Sequence, residues 1–139
     1  MPHRVLKVPE RGMIDAYERL LAARHFTADA AQRAAAERLQ RLYYDLLSFK
    51  VGRRSALRRF FTPPEVPRGV YFWGGVGRGK SFLMDCFFDA VPYRRKRRIH
   101  FHAFMHDVHR QLNELKGGSD PLLRVAEQIA SEVRLLCFD

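Results

Sequence analysis

The chain has 139 residues, 47% of them hydrophobic and 29% charged, with a formal net charge of +10. That length holds one domain with a real core, and the balance excludes a disordered or low-complexity polymer. No apolar run approaches the roughly 20 residues a membrane span needs. The opening "MPHRVLKVPERGM" lacks the apolar centre of a secretory signal, so a cytoplasmic protein is expected. The excess of Lys and Arg favours polyanionic partners, whether nucleotides, nucleic acid or acidic membrane, without choosing among them.

Residues 1–12 read as an exposed arm. Residues 13–24 have helical spacing, with Met13, Tyr17, Leu20 and Leu21 on one side. "HFTADAAQRAAAERLQRLYYDLLSFK" predicts a stronger helix. Thr27 suits its N-cap and Asp29 its first turn, while Ala35, Leu39, Leu42 and Leu46 make one face that Tyr43 and Leu47 widen. Gly52, Pro63, Pro64 and Pro67 mark a connector.

Downstream the pattern changes. "GVYFW" (69–73) predicts a short buried strand, and "KSFLMDCFFDAV" a helix with Phe82, Leu83, Cys86, Phe87 and Ala90 inward. "RIHFHAF" (98–104) predicts a second strand, "MHDVHRQLNEL" a helix, "KGGSDP" a turn, and "LLRVAEQIASE" a helix that Pro121 starts. "VRLLCFD" predicts a third strand. Alternating strands and helices predict an α/β fold with a parallel sheet and right-handed crossovers. The expected division is a helical segment over 1–64 and an α/β core over 65–139. Cys86 and Cys137 lie in apolar runs and read as reduced, buried thiols.

The spacing Gly74-x-x-x-x-Gly79-Lys80-Ser81 is a phosphate-loop pattern. Glycines at 74, 75, 77 and 79 admit backbone angles other residues resist and let amides crowd a phosphate. A helix starting near Gly79 points its free N–H groups and positive dipole end at the same anion. Lys80 then reaches the outer phosphates, and the Ser81 hydroxyl holds magnesium. The expected nucleotide-contacting set is Gly74, Gly75, Val76, Gly77, Arg78, Gly79, Lys80, Ser81 and Phe82. An apolar strand ending in Asp139, fifty-nine residues after Lys80, suits a magnesium-side carboxylate at the C-terminal edge of the sheet. Lys80 and Asp139 are therefore the expected catalytic pair, Ser81 and Asp139 the expected metal pair, and a nucleotide with Mg2+ the expected cofactor, with no base-reading motif to choose ATP over GTP.

Arg94, Arg95, Lys96, Arg97 and Arg98 form the densest charge run. It reads as a solvated loop at the end of the sheet away from the nucleotide, or as a patch for nucleic acid or acidic membrane. His100, His102, His106 and His109 are spaced for two pairs, yet lack the carboxylate or cysteine partners of familiar metal sites.

"GVYFWGGVGRGKSFLMDCFF", "RRIHFHAFMHDVHRQL", "DPLLRVA" and "LLCFD" together resemble the AFG-type AAA+ ATPases, strongly over residues 65–139 and more loosely upstream. The resemblance implies a P-loop AAA+ core and an ATPase that acts on other proteins. In this family such proteins are associated with the bacterial division ring and its tubulin-like protein FtsZ, or with turnover of mitochondrial membrane proteins. It also implies homo-oligomers for the complete proteins and a location in the cytoplasm or peripheral to the membrane or division site. Family members continue past the acidic strand end with a water-activating Glu, a sensor strand, an arginine finger and a helical lid. An incomplete sheet, weak nucleotide binding and little turnover are therefore expected of these residues alone. In AAA+ topology the turn after the second strand faces the ring's channel, which makes Phe104–Met105 either a substrate grip or core packing. Two other readings stay open: a DNA-associated, helicase-loader-like ATPase, and a non-catalytic regulatory fragment.

Overall fold

The structure is a computed structural model that describes residues 12–25, 27–54, 60–61, 64–75, 79–115 and 119–139. They fall into two compact units that part between Val91 and Pro92.

The first unit is helical. α1 (Met13–Ala23) buries Met13 and Tyr17, four residues apart on one helix face. α2 (Ala30–Gly52) buries Ala36, Leu39, Leu42, Tyr43 and Leu46. Its cap is Asp29, not Thr27: the Asp29 carboxylate accepts the Gln32 backbone N–H at 2.7 Å. The core stripe runs through Ala36 in place of Ala35, because Ala36, Leu39, Tyr43 and Leu46 follow steps of three, four and three. Gln40 fastens α1 to α2, its Oε1 accepting the Ile14 N–H at 2.9 Å. α3 (Lys80–Ala90) closes the unit by burying Leu83, Cys86 and Phe87. Burial pushes the Cys86 thiol up to about 11, with Asp85 adding to the shift.

The expected strand over 69–73 is not formed. Tyr71 and Trp73 are each 85% exposed. A parallel strand apolar on both faces needs paired edges and covered faces, and none of the described residues supplies them to this stretch.

The second unit runs strand, helix, helix, strand. β1 (Lys96–Ile99) pairs in parallel with β2 (Leu135–Phe138), Lys96 opposite Leu135 and Ile99 opposite Phe138. Between them lie α4 (Phe101–Glu114) and α5 (Pro121–Glu132). Pro121 sits in the first turn of α5, and the Asp120 carboxylate accepts the Leu123 N–H at 3.1 Å. Here the second expected strand is corrected. It starts two residues early, and α4 has begun by Phe101. Phe101, Phe104, Met105 and Val108 also satisfy helical spacing, and a short apolar run does not distinguish the two periods. The helix wins because it sets Phe101 and Phe104 edge-on to Phe138, with centroids 5.8 and 4.8 Å away.

This helix-rich architecture with a small two-stranded parallel sheet fits part of a P-loop ATPase. Cys86 and Cys137 are free and buried, as expected. No helix among the described residues is long and apolar enough to cross a membrane.

Candidate functional site: the phosphate loop and the acidic strand end

Of the nine residues expected to contact nucleotide, Gly74, Gly75, Gly79, Lys80, Ser81 and Phe82 are described; Val76, Gly77 and Arg78 lie outside the described residues. The loop folds back on itself through its lysine. Lys80 Nζ donates to the Gly74 carbonyl at 2.8 Å and to the Gly75 carbonyl at 2.7 Å. One ammonium thus draws both ends of the glycine segment together at the first residue of α3.

The backbone explains two of the glycines. Gly74 has φ 152° and Gly79 φ 77°, both costly for a residue with a Cβ. Gly79 is the N-cap of α3, no side chain caps that end, and its carbonyl accepts the Leu83 N–H at 3.0 Å. The amides of the first turn have no partners within the helix and stand at its positive end. A Cβ on residue 79 would run into the Gln32 carboxamide. An N-terminus that no described side chain caps, with an ammonium at its first residue, is a donor set suited to a phosphate group. The residues present therefore fit the phosphates of a nucleotide.

Ser81 is exposed at the second position of α3. The Phe82 ring turns toward α1, 6.0 Å from the Tyr17 ring centroid, with the Arg24 guanidinium 5.1 Å from its own centroid.

Asp139 belongs to the second unit. Its backbone continues the strand ladder, its N–H donating to Ile99 O at 3.2 Å and its carbonyl accepting from Phe101 N at 3.0 Å. Arg98 Nη2 donates to its carboxylate Oδ2 at 2.7 Å, with both side chains partly shielded. This corrects the loop reading for part of the basic run. Lys96, Arg97 and Arg98 form a strand, and Arg98 stands at the same strand ends as Asp139. Arg97 pairs with Asp107 at 3.3 Å, and Arg95 Nη1 donates to the Ser131 carbonyl at 2.5 Å.

Among the described residues no group of three or more His, Cys, Asp or Glu side chains is placed to hold an ion. His100 caps α4, while His102, His106 and His109 lie within it and are exposed. Phe104 sits inside that helix against Phe138, which is the packing role and not a turn-borne grip. The contact sequence reasoning missed is that of Gln32 with Gly79. The two are 47 residues apart, and no periodicity or motif joins them.

Known proteins extend this picture. The family model of the AFG1-like ATPases matches residues 12–139. The cell division protein ZapE of Escherichia coli K12 is 41% identical over 122 residues, covering 80% of this chain and 32% of ZapE. Lactation elevated protein 1 homolog B of Danio rerio is 45% identical over 89 residues, covering 56% of this chain and 18% of that protein. The chain thus spans about a third or less of the length of these relatives. No solved structure matches it. With a phosphate loop closed on its lysine and a family match across both units, the chain belongs to the AFG1-like ATPase family.

Proposed function

We propose that this chain is the nucleotide-binding part of an ATPase that serves cell division by acting on protein, the division-ring protein FtsZ being the expected substrate. The observation that carries the nucleotide reading is Lys80 Nζ held on the Gly74 and Gly75 carbonyls at the mouth of an uncapped helix. The cell-division role rests on the similarity to the E. coli cell division protein ZapE.

ATP with magnesium supplies the phosphoryl group and the charge neutralisation that such a reaction requires. The chain's own part is binding and orientation. The Lys80 ammonium exchanges its two carbonyl partners for phosphate oxygens, which are stronger, charge-assisted acceptors. The first-turn amides of α3 take the remaining oxygens, and the Ser81 hydroxyl and the Asp139 carboxylate are the groups we assign to the metal. Arg98 holds that carboxylate in a fixed orientation until it is needed. By themselves these 139 residues are expected to bind nucleotide weakly and turn it over little.

Fluorescent ATP and GTP analogues titrated with and without magnesium, beside Lys80→Ala, test this reading. Binding that prefers ATP and weakens about 10- to 100-fold in the variant is expected, the loss of one charged contact. Steady turnover in a phosphate-release assay, abolished by Lys80→Ala, would contradict the low activity proposed for these residues. Co-sedimentation with FtsZ polymers tests the substrate, and no retention above a control protein would remove FtsZ from the proposal.

A further inference from the structure

We propose that Gln32 is a positioning residue for the phosphate loop, set by Tyr17, so that the α1–α2 pair fixes where the loop's last glycine and the first amides of α3 stand. The inference rests on the reading of residues 74–81 as a nucleotide phosphate site and names what holds that site in shape.

Tyr17 is 3% exposed. Its ring packs on Phe82 in the first turn of α3, and its hydroxyl donates to Gln32 Oε1 at 2.8 Å. That bond decides which end of the carboxamide faces the loop. The oxygen is engaged by a donor, so the NH2 end lies against Gly79, in the space a Cβ there would occupy. Gln32 itself is anchored, because its backbone N–H is the one that Asp29 caps. Gly79 is the hinge between loop and helix, at φ 77°. A neutral donor beside it is compatible with an arriving anion, whereas a carboxylate at the same place would repel one. The contact crosses from α2 to the loop, so helices with no phosphate ligand of their own bear on phosphate binding.

Three variants test this in the 139-residue chain. Tyr17→Phe keeps the ring on Phe82 and removes only the hydroxyl, Gln32→Ala removes the carboxamide, and Gln32→Glu keeps its shape while replacing the donor with charge. In nucleotide-free protein, the 15N–1H cross-peaks of Gly79 and Lys80 are expected to move in all three, while that of Leu46 stays. Affinity for the magnesium–ATP analogue should fall about 3- to 10-fold in Tyr17→Phe and Gln32→Ala, the scale of one hydrogen bond, and further in Gln32→Glu. The Tyr17→Phe/Gln32→Ala double variant should be no weaker than its weaker parent, because both act through one contact. Unmoved Gly79 and Lys80 cross-peaks would overturn the proposal. So would wild-type affinity in the Gln32 variants of a chain whose binding Lys80→Ala removes, and that result would leave the phosphate-site reading standing. Cross-peaks that move in a chain that binds no nucleotide would instead sink the phosphate-site reading and leave the positioning contact in place.

Discussion

The two units hold their candidate residues by different means. In the first, α1, α2 and α3 converge on a buried apolar cluster that includes Met13, Tyr17, Leu39, Leu42, Tyr43, Leu46, Leu83 and Phe87. In the second, Val108, Val125 and Cys137 are the buried apolar side chains among the described residues, and a four-residue ladder with ion pairs around it supplies the rest. The phosphate loop therefore leads into a helix seated on a packed scaffold. Backbone hydrogen bonds and Arg98 hold Asp139. Packing resists local opening more than exposed hydrogen bonds and screened charges do, so the loop side should be the more persistent of the two.

The largest test of that contrast is a cavity in each unit. Leu42→Ala should cost about 2–5 kcal/mol in urea unfolding followed by circular dichroism. Val125→Ala should cost about 1–2 kcal/mol, two methylene equivalents of burial. Equal losses would mean that the second unit is packed as firmly as the first.

Next in size is an alkaline effect at Cys86. Its folded pKa is raised above the ordinary thiol value near 9 to about 11. The folded state therefore keeps a proton that the unfolded chain loses, and the stabilisation is fully present below pH 9 and declines as pH rises toward 11. The melting temperature should fall over that window in the wild-type chain, and Cys86→Ala should flatten the slope. Burial also raises the Cys137 thiol, but Lys96 and Arg98 oppose the rise. Mass spectrometry after iodoacetamide treatment at pH 8 should find Cys137 modified before Cys86. The reverse order would place the more open packing in the first unit.

The same contrast governs what could be read in the sequence. α2, α3 and α5 carry their own signals: a sustained 3.6-residue stripe, a glycine before Lys80, a proline at 121. Lys80 reaches carbonyls only five and six residues back, so the loop closure is local and its residue types announce it. The third expected strand forms as β2, and the first two depart from expectation where partners decide. "GVYFW" has strand composition and no pairing among the described residues, while "KRRI" has poor strand composition and pairs because β2 lies beside it. Phe101 and Phe104 fit both periods, and only Phe138 chose between them. Arg98 with Asp139 and Gln32 with Gly79 join residues 41 and 47 positions apart, a separation at which one sequence carries no signal.

A smaller effect, of opposite sign, lies inside the firm core. Tyr43 is fully buried against Tyr44, and its hydroxyl has no hydrogen-bond partner among the described residues. Burying a hydroxyl unpaired forfeits its hydration without replacement. Tyr43→Phe keeps the ring and removes that cost, so it should leave stability unchanged or raise it by about 1 kcal/mol. A loss of that size in urea unfolding would show that the hydroxyl is paired after all.

The smallest effect belongs to the surface charges of the second unit. Asp107 accepts from Arg110 and from Arg97, at 3.3 Å in each case, and these two hydrogen bonds hold its carboxyl below the usual carboxylate range. A depressed folded pKa contributes stability above the unfolded value of about 3.9 and loses it as pH falls through the folded value. The site is open to water, where ion pairs contribute little and salt screens them. Asp107→Asn should therefore shift the urea midpoint slightly at pH 7 in low salt, and less as pH falls below the usual carboxylate range or in about 1 M salt, where the Debye length is about 3 Å. Should Asp107→Asn instead cost as much as Leu42→Ala, and keep doing so in salt, the second unit would be built on its charges, and the ranking of the two units would reverse.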